Sequence, residues 1–140
     1  MAEYSPEIRE TAMSALAKMR RLIPGAVELV YDNYNALVIG FGATERASEA
    51  VCSLALYPRW VTLFLLQGAK VPDPARRLSG SGKSVRSVVL QSANDLDDAE
   101  ICDLIAHAVA RSRTPFDPSR RNRLIIRSIS PKRRPRRPAS

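Results

Sequence analysis

A chain of 140 residues with 45% apolar content makes one domain plus an appendage, and its body of about 110 residues can bury a core without staples. Residues 1–110 carry 11 Lys/Arg against 13 Asp/Glu, whereas residues 111–140 carry 11 against a single acid, Asp117, so a near-neutral body bears a cationic extension. Two cysteines exclude a disulfide framework, and no apolar run approaches the roughly 20 residues of a membrane span.

Ser5-Pro6-Glu7 predicts a helix start, with Ser as N-cap and Pro at the first helical position. Ile8, Ala12, Ala15, Leu16, Met19 and Leu22 recur at helical spacing, and Pro24-Gly25 ends the run. Residues 28–31 are a short β-compatible piece, and Asp32-Asn33 can turn the chain. Residues 35–41 read as a strand and 42–49 as a loop, with Thr44 a candidate cap. Residues 51–57 and 60–66 predict a hairpin joined by Pro58-Arg59, or by a slightly longer loop that takes in Tyr57 or Trp60. Residues 67–84 show no periodicity and read as a long loop, a length often tied to function. A strand over 85–90 and a helix over 98–110 follow, the helix carrying Ile101, Leu104, Ile105, Ala108 and Val109 on one face.

The body is thus expected over 1–111 and the basic extension over 112–140. Within the extension, 123–129 is a β-prone island that could add an edge strand, and the chain from about 131 is expected to be disordered. Consecutive hairpin-linked strands imply antiparallel pairing, and two amphipathic helices can cover one face. The expected class is α+β: a two-layer sandwich, with N- and C-terminal helices on one face of an antiparallel sheet. The other face should be more polar or serve as a binding surface.

Tyr31-Asp-Asn-Tyr-Asn-Ala-Leu-Val-Ile-Gly-Phe41 leads to Ser53-Leu-Ala-Leu-Tyr-Pro-Arg-Trp60, then Phe64-Leu-Leu-Gln-Gly68, Asp73-Pro74, Leu78-Ser-Gly-Ser-Gly-Lys83 and Val85-Arg86. This order resembles the YdhG-like family, a family of uncharacterised domains, over about residues 23–109. The resemblance implies a small α+β domain with helices on one face of an antiparallel sheet, and it brings no catalytic residues. Some relatives are frataxin-like iron-binding proteins. In that resemblance the role uses a dense acidic ridge on the first helix and strand, and the first helix of this chain has only Glu7 and Glu10, offset by Arg9, Lys18, Arg20 and Arg21.

The strongest functional signal is the comb of Lys132, Arg133, Arg134, Arg136 and Arg137, which suits phosphate and points to nucleic acid or another polyanion. A solubility tail explains the same residues. Gly80-Ser81-Gly82-Lys83 resembles a phosphate loop only superficially. The required first glycine falls on Arg77, and a strand follows instead of a helix. Arg76, Arg77, Gly80, Ser81, Gly82, Lys83 and Arg86 could still hold an anion, or form a tight turn with solvated charges.

Asp95, Asp97, Asp98, Glu100 and Asp103 form an acidic cluster. Helix capping explains it, and a weak metal site at Asp97, Asp98 and Asp103 is the alternative. A third reading has the cluster holding the Arg-rich tail in cis. The single His107 lacks the partners that a His-based triad or metal triad requires. Trp60, Tyr57 and Phe64 fit a core set or a stacking platform. Cys52 and Cys102 sit among apolar neighbours as buried thiols. The expectation is a non-enzymatic, cytoplasmic binding domain without a cofactor. Metal handling through the acidic patch is one alternative, and a small enzyme with its site in 67–86 is another.

Overall fold

A computed structural model describes residues 5–32 and 36–129. Helix α1 spans Pro6–Leu22. The Ser5 hydroxyl accepts from the Ile8 N–H at 3.1 Å, satisfying one of the donors that a helix start leaves orphaned. Ala12, Ala15 and Met19 are the buried stripe of this helix, and Arg20 and Arg21 complement its C-terminal dipole. Gly25, at φ +83°, turns the chain out of the helix and into strand β1, Val27–Asp32.

Strands β2 (Leu37–Gly42), β3 (Ala50–Leu56), β4 (Val61–Leu65) and β5 (Arg86–Leu90) follow β1 as an antiparallel meander. Short 3-10 turns precede β3 (Ala47–Glu49), follow β4 (Gly68–Lys70) and precede helix α2 (Ala93–Asp97). Helix α2 is Ala99–Ala110, and strand β6 is Arg123–Ile129. The sheet order is β5-β4-β3-β2-β1-β6. The protein is therefore α+β, with two α-helices and one six-stranded sheet among the described residues.

The expected antiparallel sheet needs one correction: β6 runs parallel to β1. The physical reason is the route of the chain. Hairpins force antiparallel neighbours, but β6 is reached only after α2 and the stretch 111–122, a crossover long enough for parallel pairing. The join between β3 and β4 is the longer of the two loops expected, and it takes in both Tyr57 and Trp60. Leu56 pairs with Val61, so four residues make the loop, closed by the Tyr57 N–H donating to the Trp60 carbonyl at 2.9 Å.

Directly paired residues share a face of the sheet, which defines its two sides. Val30, Ile39, Leu54, Leu63 and Val88 make one row across the helix side, and Phe41, Cys52 and Leu65 belong to the next. These residues pack with Met19, Ile101, Leu104 and Ile105 in a single core. Each of the large ones buried there contributes about 2 kcal/mol relative to exposure. The opposite face is mixed. It carries Val27, Leu29, Tyr31, Val38, Ala55, Phe64 and Val89, with Gly40, Ser53, Thr62 and Ser87 between them.

The segment before β6 is fastened to the end of α1. Asn122 accepts from the Gly25 N–H at 3.1 Å and donates to the Ile23 carbonyl at 3.3 Å. The Asn122 amide also donates to the Glu28 carboxylate at 3.3 Å. Glu28 is wholly buried and is gripped by Arg20 through two bonds, at 2.9 and 2.8 Å. A side chain at Gly25 would collide with the Asp117 carbonyl, so this crossing also demands glycine. Arg123 and Arg127 on β6 reach Glu45 in the loop after β2.

Candidate functional site

The five basic residues of the comb, Lys132, Arg133, Arg134, Arg136 and Arg137, lie outside the described residues, as does the expected disorder from about 131. Arg111 at the end of the body and Arg113, Arg120 and Arg121 in the described part of the extension are all exposed. Among the described residues, the Arg111, Arg113 and Arg121 guanidinium groups enter no hydrogen bond or ion pair. Asp117 is exposed and accepts from the hydroxyl and N–H of Ser119, which holds its carboxyl below the usual range.

The loop 67–85 is more ordered than its composition implies. The Ala69 N–H donates to the Ser84 carbonyl, and Ser79 pairs with Ser87 as an extra bridge on β5. The Asp73 carboxylate accepts from the Arg77 and Leu78 N–H groups, both at 2.9 Å, folding the turn in which Arg76 takes φ +55°. Gly68 allows the Arg86 side chain to pass closely, and Gly80 adopts φ +134°.

The basic side chains of this loop are partly spent. Arg77 donates to Glu100 at 2.9 Å and to Asp98 at 3.4 Å, pinning the loop to the start of α2. Arg86 donates to the Gly82 and Val85 carbonyls at 2.7 and 2.9 Å. Arg76 and Lys83 are exposed and unpaired among the described residues, as is the Ser81 hydroxyl, and Gly80 and Gly82 are exposed.

Three of the five acidic residues, Asp97, Asp98 and Glu100, have cationic partners from elsewhere in the chain, while Asp95 accepts from the Gln91 N–H. Lys18 on α1 donates to both Asp97 oxygens, at 3.0 and 2.8 Å. Asp98 stands at the N-cap of α2 without a side-chain capping bond and faces Arg77 instead. Asp103 and His107 line a cavity of about 120 Å³ with Pro72, Asp73, Glu100 and Leu104. Among the described residues, no group of three or more His, Cys, Asp or Glu side chains is arranged to hold a metal ion.

Cys52 is buried under the helices, and burial pushes its thiol well above the ordinary range. Cys102 is partly buried and donates to the Leu96 carbonyl at 3.2 Å. Burial first, and then the nearby Asp97, Asp103 and Asp98, raise its thiol too. Neither is a reactive thiolate. Tyr57 and Trp60 stack on one another with ring centres 5.1 Å apart, and Phe64 takes no part in that pair.

A cavity of about 300 Å³ was not legible in the sequence. It lies where α2 ends, between Ser48 and Glu49, Gln67, and Arg111 to Arg113. Its walls come from three separated stretches, so only the fold assembles them. Among the described residues, no helix is long and apolar enough to cross a membrane. Compared with family profiles, curated proteins and solved structures, the chain matches none, so any functional reading has to rest on its own residues.

Proposed function

We propose that the chain is a non-enzymatic binding domain of the YdhG-like kind, whose Arg-rich segment 132–137 contacts a polyanion, nucleic acid foremost, without base specificity. The observation that carries this reading is the division of charge. Eleven Lys/Arg against one acid follow residue 110, whereas the preceding body is near neutral. Phosphate contacts through arginine give affinity without sequence readout.

Two structural observations support it. Strand β6 is paired along β1 and tied by Asn122, which gives a cationic tail a rigid base. Exposed Arg111, Arg113 and Arg121 extend positive charge from the tail onto the body. The other candidate sites have less to offer. A metal ion at Asp97 and Asp98 would have to displace Lys18 and Arg77. An anion in the Gly80–Gly82 turn would meet Arg76 and Lys83, with Arg77 and Arg86 already engaged.

The test compares the full chain with a variant carrying Lys132→Glu, Arg133→Glu, Arg134→Glu, Arg136→Glu and Arg137→Glu. Binding to fluorescent single- and double-stranded nucleic acid should vanish at 100 mM salt in the variant, with thermal unfolding unchanged. Undiminished binding by the variant would refute the proposal.

A further inference from the structure

We propose that the cavity at the C-terminal end of α2 binds a small organic anion, with a phosphate-monoester or carboxylate head at Arg111 and Arg113 and an apolar body on Ala50, Val51 and Ala108. At about 300 Å³ it stands at the lower bound of small-ligand sites, and its lining is more polar than usual, six polar or charged residues around a small floor of Ala50, Val51 and Ala108. Val51 and Ala108 are buried and Ala50 is half-buried, so the floor is apolar and formed by packed elements. Ser48, Gln67 and Ser112 add neutral polar groups.

Arginines at a helix C-terminus ordinarily serve the last carbonyls. Here backbone donors already do so. The Arg111 N–H reaches the His107 and Ala108 carbonyls at 3.1 and 3.2 Å, and the Ser112 N–H reaches Val109 at 3.1 Å. The two guanidinium groups therefore have no bond to give up among the described residues, and each offers a fork suited to an oxyanion.

The wall is braced. The Thr114 hydroxyl donates to Glu49 at 2.6 Å, and the Ser112 hydroxyl donates to the Thr114 carbonyl at 2.7 Å. These bonds hold the arginine-bearing turn against the 3-10 segment before β3. Glu49 is the one acid of the cavity, and two arginines outweigh it.

The experiment titrates isotope-labelled full chain with phenyl phosphate, and separately with inorganic phosphate and with phenol, at fixed ionic strength. Phenyl phosphate should shift the amide signals of Ala50, Val51 and Ala108 to Arg113 in a saturable way, more strongly than either half-probe. Arg111→Gln with Arg113→Gln should weaken this about tenfold, the low end for charge-assisted bonds at an open rim. Glu49→Gln keeps an acceptor for Thr114 and removes a like charge, so it should tighten binding, which a merely structural Glu49 would not do. The proposal draws on no residue of 132–137, so the variant reversed there should show the same cavity shifts. Shifts confined to the tail, equal binding of phenol, or saturation unchanged in the double arginine variant would overturn the proposal. If the double variant does not fold, weaker binding in Glu49→Gln overturns it alone.

Discussion

Replacing Arg20 with Met should leave a carboxylate buried without its cation. Glu28 is wholly buried at the edge of the core, and Arg20 holds both its oxygens, at 2.9 and 2.8 Å. Breaking a buried pair from one side costs about 3–5 kcal/mol. The Arg20 side chain is 44% exposed, so water can enter the vacated position and the cost falls to about 2–3 kcal/mol. That is a large share of the roughly 5–15 kcal/mol that keeps a domain folded. With a urea slope of about 1–3 kcal/mol/M, the unfolding midpoint should drop by about 0.7–3 M. The comparator is Arg20→Met with Glu28→Leu, which removes both charges. Asn122 keeps the Ile23 carbonyl as an acceptor in that variant, so the double change should be milder than the single one. A single variant within about 0.5 kcal/mol of the parent, or a double variant worse than the single, would refute this reasoning.

Three further outcomes follow from the packing and the charges. Gly25→Ala must meet both a positive φ and the Asp117 carbonyl, so it should cost at least about 2 kcal/mol and expose the stretch 117–129 to protease before the rest. Equal protection in parent and variant would contradict the docking described for β6. Arg77→Ala should cost only about 0.5–1 kcal/mol but speed tryptic cleavage after Arg76 and Lys83, because the loop loses its tie to Asp98 and Glu100; an unchanged cleavage rate counts against the tie. Cys52 has a thiol raised above its ordinary value of 9.0 by burial, so its contribution to stability is intact below that value and is lost as pH rises above it, where the unfolded chain ionises first. The urea midpoint should therefore fall less between pH 8 and pH 10 in Cys52→Ala than in the parent, and identical falls would show that the thiol is not protected.

What could be read from the sequence was mostly local. Ser5-Pro6 sets the start of α1, because capping acts within a few residues, and the short apolar runs of β2, β3 and β4 read as strands buried on both faces. The parallel direction of β6 was not readable, since it depends on Asn122 meeting Gly25 across 97 positions of chain. The acids before α2 were visible as helix-start residues, but their partners were not. Lys18 lies 79 residues from Asp97, and Arg77 folds back only because Asp73 and Gly68 shape its loop. The buried Glu28 gave no signal in a short strand of ordinary composition. The cavity at the end of α2 joins residues near 48, 67 and 111, and no single stretch announces it.

The docking of β6 determines how the polyanion reading should be tested, because a cut at residue 111 would remove a strand of the sheet. The decisive measurement is the salt dependence of nucleic-acid binding for the full chain and for a chain ending at Ile129, between 50 and 200 mM. If about six phosphates are contacted, affinity of the full chain should fall roughly a thousandfold over that range, and the shortened chain should lose most of its slope. Equal slopes for the two chains would contradict the account, placing any polyanion contact on the folded body instead of the tail.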